Sequence, residues 1–256
     1  MTPRYVALGS SMAAGPGIAP GAPGAPKRSG RSAVNYPHLV ADRLGYDLVD
    51  VTFSGATTTH LLTERQYGAP PQVDALDGSE SLVTITIGGN DAGYVPMLGA
   101  ACLPRFLRSV PVIGGLLRGQ LDAAARDQAL EVVGESLKTV GREVRRRAPQ
   151  ARVLFVDYLT LLPPAGVPAP PIGAADAELG RHVAARLAEL TAAAAAAAGC
   201  ELVPVAAASR AHHAWSADPW TTAFHLPLPG RVAPLHPNAA GMRAVAQMVI
   251  ERVSCA

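Results

Sequence analysis

The chain is poor in charge. Of its 256 residues only 16% are Asp, Glu, Lys or Arg, against 49% hydrophobic. That balance excludes a disordered chain, which lacks the apolar side chains to offset the entropy of ordering. The 22 basic and 20 acidic residues nearly cancel, leaving a net charge of +2. A protein built to grip nucleic acid needs a basic excess, so nucleic acid is not an expected partner. Lysine is almost missing, with only Lys27 and Lys138. Together with 23 prolines and the alanine run 192–198, this reads as GC-rich coding bias, so the arginines carry no functional message. No apolar stretch reaches the roughly 18 residues of a membrane span. Met1-Thr2-Pro3-Arg4 leads straight into an apolar run, without the form of a signal peptide. Three cysteines, Cys102, Cys200 and Cys255, lie far apart and form no CxxC pattern. Their odd number argues against a disulfide framework. Free thiols in a cytoplasmic protein are the expectation, and secretion after removal of a signal peptide is the alternative.

At about 150 residues per domain, this length allows one or two domains. A single core is within reach, because chains of this size bury roughly 70–75% of their unfolded surface. No linker divides the sequence and no repeat recurs, so residues 1–256 read as a single domain. Short apolar runs at 5–8, 48–53, 82–87, 153–157 and 202–205 predict strands, the third being β-branched and stopped by Gly88-Gly89. Helical patterns cover 36–44, with Asn35 as cap and Pro37 in the first turn, then 121–147, 174–198 and 238–253. The triplet Arg145-Arg146-Arg147 suits the last turn of a helix, where cations meet the dipole. Alternating strands and helices imply a parallel sheet covered on both faces. The Pro/Gly-rich stretches 15–30, 161–172 and 227–234 read as loops.

In such a sheet, ligands bind beyond the carboxyl ends of the strands. The first strand delivers Gly9-Ser10-Ser11-Met12-Ala13-Ala14-Gly15 there. The second delivers Ser54-Gly55-Ala56-Thr57-Thr58 and the third Gly88-Gly89-Asn90-Asp91. The final helix is preceded by His236-Pro237-Asn238-Ala239-Ala240-Gly241. A hydroxyl, an amide-rich turn, an asparagine and a late histidine are the parts needed for acyl transfer. A serine hydroxyl is a weak nucleophile until a base takes its proton. The tetrahedral oxyanion then needs hydrogen-bond donors, which a glycine turn and an asparagine amide supply.

These four blocks, in this order, resemble the SGNH hydrolases, also called GDSL esterases/lipases, over nearly the whole chain from Tyr5 to the last helix. The stretches Asn35-Tyr36-Pro37-His38-Leu39-Val40-Ala41 and Ser216-Ala217-Asp218-Pro219-Trp220 are similar to bacterial members. The resemblance implies a flavodoxin-like three-layer α/β/α sandwich with a central parallel sheet. It implies a serine esterase or lipase working through an acyl-enzyme, with no metal or organic cofactor. Ser11 is then the nucleophile and His236 the general base. The Ser11 and Gly55 N–H groups and the Asn90 amide form the oxyanion hole. No Gly-x-Ser-x-Gly elbow surrounds Ser11, which counts against the ordinary α/β-hydrolase reading.

The sequence departs from the family at two places. Ser10 stands where the family usually has aspartate, which predicts altered local hydrogen bonds. Ala233 stands where the family's triad aspartate belongs, three residues before His236. A methyl group cannot accept the Nδ1 hydrogen bond that fixes an imidazole's tautomer. The expectation is a Ser11–His236 dyad oriented by the Ala233 carbonyl, with the Asp218 carboxylate as the alternative. A catalytically impaired binding protein, or an acyltransferase sharing the acyl-enzyme, are the competing functions. The glycines at 15–21 fail as a phosphate loop: prolines interrupt them and no Lys-Ser/Thr pair follows. His212, His213 and His225 read as ordinary loop histidines, not metal ligands. Trp215 and Trp220 either line an acyl pocket or pack a long loop. The loops 161–172 and 212–234 are expected to shape the substrate pocket.

Overall fold

The apolar runs become strands, and glycines close the first and follow the third. In the computed structural model, which describes residues 2–226 and 230–255, one sheet is formed by β1 (Arg4–Gly9), β2 (Asp47–Asp50), β3 (Glu80–Thr86), β4 (Arg152–Val156) and β5 (Glu201–Val203). The start of the loop expected at 227–234 lies outside the described residues. Strand order is β2-β1-β3-β4-β5 and every pair is parallel, as expected. The helices are α1 (Ser11–Ala14), α2 (Tyr36–Leu44), α3 (Thr58–Leu62), α4 (Tyr94–Cys102), α5 (Ile113–Gln120), α6 (Ala123–Arg147), α7 (Ala174–Ala197), α8 (Val205–Ala208) and α9 (Ala239–Ser254).

Strand side chains alternate between two faces. Val6, Leu8, Val83, Ile85, Val153 and Phe155 pack with buried residues of α4, α6 and α7. Tyr5, Ala7, Leu82, Leu154 and Val156 pack with buried residues of α2 and α9. The result is the three-layer α/β/α arrangement. Both faces of the sheet are covered, so its strands read as continuous apolar runs. The buried phenols find partners: Tyr5 with Thr84 (2.7 Å) and Tyr36 with Thr86 (2.9 Å).

Differences from the sequence reading have local causes. Residues 51–53 continue the edge without forming a full ladder, Val51 donating to Ala7 and Phe53 to Gly9. The long helix starts at Ala123, two residues late, because the Asp122 carboxylate caps it at the Ala125 N–H. The arginine triplet is more than a solvated helix end: Arg145 donates to the Ala151 and Gly199 carbonyls, and Arg147 to that of Val73. Helices α3, α4 and α5 have no counterpart among the helical patterns read from the sequence. The first is a single turn, the second is mostly buried, and the third holds Gly114, Gly115 and Gly119.

Just past β4, the Asp157 carboxylate is buried and accepts the Ala206 N–H at the start of α8 (2.8 Å). Burial pushes its pKa up to about 6, against the two backbone N–H bonds that favour the anion. The folded protein therefore holds this proton more tightly than the unfolded chain, and stability falls as pH rises from near 4 through 6. Asp157→Asn keeps an acceptor without the charge. It is expected to raise unfolding stability at pH 7 by on the order of 2 kcal/mol and to flatten the pH 4–6 dependence, as measured by denaturant melts.

Candidate active site

Strand β1 ends at Gly9, whose N–H and C=O are both bonded by the Gln72 side chain (2.7 and 3.0 Å). The Ser10 N–H donates to the Thr86 carbonyl (2.9 Å). Ser11 thus opens the short helix α1 from a fixed strand end, with its side chain largely buried.

His236 comes from the other end of the sequence. The Asn238 side chain caps α9 at the Gly241 N–H (2.9 Å), so the histidine lies on the turn that enters this helix. That turn pairs with residues 220–222. Thr222 donates to the His236 carbonyl (2.9 Å), Leu235 to that of Thr222 (3.1 Å) and Asn238 to that of Trp220 (2.9 Å). The pairing holds Leu235 in a left-handed conformation (φ 59°), a strained state for a branched side chain. The histidine turn also meets the serine loop backbone to backbone. Ala233 donates to the Pro16 carbonyl (2.9 Å). Gly17 (φ 83°) lies so close that a Cβ would approach the Arg231 oxygen to 2.0 Å, so only glycine fits.

These contacts bring together two residues 225 apart in sequence: His236 Nε2 is 2.8 Å from Ser11 Oγ. The other ring nitrogen, Nδ1, is 2.7 Å from the Pro234 carbonyl. A carbonyl only accepts, so Nδ1 carries the hydrogen, Nε2 is bare and the serine hydroxyl donates to it. Burial lowers the His236 pKa below its ordinary value, and the bond to Pro234 partly opposes that shift.

The expected Ala233 acceptor is corrected. The Ala233 oxygen accepts from the Thr222 hydroxyl (2.8 Å), and the carbonyl one residue later, that of Pro234, meets the ring. The left-handed Leu235 curls the chain so that the nearer carbonyl reaches Nδ1. The Asp218 alternative also fails: its carboxylate is exposed and 3.3 Å from His212.

Gly55 and Asn90 sit on adjoining turns laced by side chains. The Asn90 amide donates to the Ala56 carbonyl (2.7 Å). The Asp91 carboxylate accepts from the Thr58 N–H and hydroxyl (3.0 and 2.6 Å). Gln66 donates to the Ser54 carbonyl (2.9 Å), and Gly55 itself takes a positive φ of 78°. The Ser11 and Gly55 N–H groups find no acceptor among the described residues. Asn90 retains a second amide hydrogen. Ser10 Oγ faces the Tyr158 hydroxyl at 3.5 Å, and that hydroxyl accepts the Gly89 N–H (2.9 Å). Tyr158 thus joins the serine block to the asparagine turn. Burial pushes its pKa up to about 12, so it stays a neutral phenol.

The remaining candidates have structural duties. His212 stacks on Trp220 (ring centroids 3.9 Å apart), and His213 Nδ1 accepts the Trp215 N–H. The Trp215 indole donates to the Pro170 carbonyl (2.9 Å), so both tryptophans brace the late loop. No cluster of three or more metal-type ligands occurs among the described residues, and Cys102, Cys200 and Cys255 are free. A largely apolar cavity of about 490 Å³ lies behind Tyr158, between residues 159–164, α7 and residues 206–210. It includes part of the loop 161–172, but neither Ser11 nor His236 lines it.

Comparison with known proteins decides the family. The model of the GDSL-like lipase/acylhydrolase family matches residues 7–244. The chain belongs to this family. Lipase 2 of Streptomyces coelicolor is 35% identical over 96% of this chain and 84% of its own length. A lipase of Streptomyces rimosus is 31% identical over 60% of this chain and 52% of its own. In fold, the chain matches phospholipase A1 from Streptomyces albidoflavus NA297 with a TM-score of 0.81 at 24% identity, covering 99% of each chain. It matches the extracellular lipase from S. rimosus with a TM-score of 0.80 at 24% identity, covering 98% and 99%. As a family member it is a carboxylic ester hydrolase, of the SGNH fold. No helix among the described residues is long and apolar enough to cross a membrane.

Sequence reasoning missed Pro234, Tyr158 and Thr222. Nothing in their local pattern marks them, because each acts through a partner distant in sequence or through a turn's conformation. Thr222 pins both the Ala233 and His236 carbonyls. Thr222→Val is expected to lower kcat roughly tenfold through misplacement of the ring, with KM nearly unchanged, while Thr222→Ser keeps most of the rate. Steady-state kinetics on a soluble ester checks this.

Proposed function

We propose that the protein is a serine esterase or lipase in which Ser11 and His236 form a dyad, oriented by the Pro234 carbonyl. The observation that carries the reading is the buried ring, bonded at Nδ1 to Pro234 and at Nε2 to Ser11. In this reading Ser11 Oγ attacks the ester carbonyl carbon as its proton passes to Nε2. The oxyanion meets the N–H groups of Ser11 and Gly55 and the free amide hydrogen of Asn90. Collapse breaks the acyl C–O bond, and the imidazolium hands its proton to the leaving alcohol. Water, deprotonated by the same ring, then attacks the acyl-enzyme and releases the acid. No step calls for a metal or organic cofactor.

A carbonyl fixes the tautomer as a carboxylate does, but brings only partial negative charge to the imidazolium. Burial has the same sign, since it disfavours the charged ring. Both keep His236 in the form that accepts a proton. Names given to the relatives support a lipid or simple carboxylic ester as substrate. The name of the S. rimosus structure, an extracellular lipase, favours secretion over the cytoplasmic expectation. We read residues 1–256 as one catalytic domain.

Hydrolysis of p-nitrophenyl butyrate tests the reading. Ser11→Ala is expected to lose at least about 10³-fold in kcat, and Asn90→Ala about 10²–10³-fold. Asp218→Asn should leave turnover unchanged. Wild-type turnover no faster than that of Ser11→Ala would refute the enzyme and favour a binding protein. The acid limb of kcat/KM reports the free-enzyme histidine, so activity should fall only as pH drops past a midpoint below the usual imidazole value near 6.5.

A further inference from the structure

Apart from Val132 on α6, the exposed large apolar side chains among the described residues concentrate at one end of the molecule. Phe106, Val112, Ile113 and Leu116 on the segment 103–121, with Val167 and Leu226, are 46–81% exposed. The segment 103–121 leads into α6, Val167 leads into α7, and Leu226 follows the stretch 220–222 that pairs with the histidine turn, which sets them at the end where Ser11 meets His236. The placement of 103–121 is anchored. Arg108 pairs with Asp176 in the first turn of α7, and Arg105 packs on Gly173 beside it. Gln120, the last residue of α5, packs on Gly93, three residues past Asn90. Tyr67 adds a further exposed ring at this end, with Arg28 over its face at 4.5 Å.

Charge follows the same division. Residues 92–121 hold Arg105, Arg108 and Arg118 and no carboxylate, and residues 10–41 hold Lys27, Arg28 and Arg31 and none. Arg65, Arg210 and Arg231 are exposed in the neighbouring loops. The exposed acids near them are Glu64, Asp122, Asp127, Glu178 and Asp218, and Arg108 and Arg181 pair with Asp176 and Glu178, which leaves Lys27, Arg28, Arg105 and Arg118 without a carboxylate partner among the described residues. At the opposite, amino ends of the strands the charges are paired, Asp77 with Arg4 and Glu201 with Arg152 and Arg252.

We infer that this rim docks on an anionic phospholipid surface, with Phe106, Val112, Ile113 and Leu116 entering the headgroup region and the surrounding arginines meeting lipid phosphates. Apolar side chains ringed by cations are the features that hold a protein in a bilayer interface. Scattered exposed apolar residues need no explanation, but a cluster on one segment marks an interaction surface. The inference builds on the proposed esterase and assigns its substrate class: an ester presented within an anionic lipid aggregate, taken up by a site that opens on the docked face.

Vesicle co-sedimentation of the full chain carrying Ser11→Ala measures docking apart from catalysis. Binding to phosphatidylcholine vesicles containing about one-third phosphatidylglycerol is expected to be at least roughly tenfold tighter than to phosphatidylcholine alone, and to weaken with added salt. Adding Phe106→Ser and Leu116→Ser should weaken it at least roughly tenfold. The same pair in the Ser11 enzyme should leave hydrolysis of soluble p-nitrophenyl acetate unchanged. A parent that ignores anionic vesicles, or a double variant that binds them as tightly, overturns the docking surface. So does a parent that self-associates without lipid through the same two residues. Loss of soluble-ester turnover in Ser11→Ala is read separately, and its absence counts against the esterase chemistry alone.

Discussion

An imidazole can receive a proton from a serine only if the nitrogen facing the serine is bare. Here the bond from Nδ1 of His236 to the Pro234 carbonyl leaves Nε2 bare, 2.8 Å from the Ser11 hydroxyl. The rest of the site is arranged around that bond. It requires the carbonyl two residues before the ring to turn back onto it, which the left-handed Leu235 makes possible. The strain is held by Thr222, which bonds the backbone of residues 233, 235 and 236. On the proposed reading, orientation that other hydrolases draw from a carboxylate comes here from a braced turn, at the loss of a full charge near the imidazolium.

The same economy marks the rest of the centre. Its loops are held chiefly by hydrogen bonds to backbone. Gln72 clamps Gly9, Gln66 holds Ser54, Asn90 holds Ala56, and Tyr158 holds Gly89. Each ties a backbone group of a strand end or turn at the site to a side chain distant in sequence. The N–H groups of Ser11 and Gly55 remain without acceptors among the described residues, as an oxyanion site on the proposed reading requires. Preorganised donors of this kind need no rearrangement when negative charge develops.

Burial and charge are divided between the inside and the outside of this end of the sheet. Inside, Ser11, His236, Asp157 and Tyr158 are buried, and low polarity keeps the histidine, the acid and the phenol toward their neutral forms. Outside, arginines and large apolar side chains share the rim. On the inferred docking, a neutral centre beneath a cationic and apolar surface suits an uncharged ester drawn from among charged amphiphiles.

The strand runs, the principal long helices and the flavodoxin-like layering were legible in sequence because their patterns are local. Continuous apolar runs and periods near 3.6 arise within a few residues, and a glycine closes some elements for reasons of its own backbone, as Gly9 does β1 and Gly45 does α2. The four motif blocks were legible for a related reason: each is a contiguous turn at a strand or helix end. The partner of the histidine was not. Ala233 was the right place to find a missing carboxylate and the wrong place to find its substitute, because which carbonyl faces the ring depends on the φ of Leu235, set by pairing with Thr222. The roles of Tyr158 and the tryptophans were hidden likewise by long sequence separation. Local chemistry determined the layers and the reactive groups; only the folded chain, by closing contacts across up to 225 residues, decided which polar atoms meet.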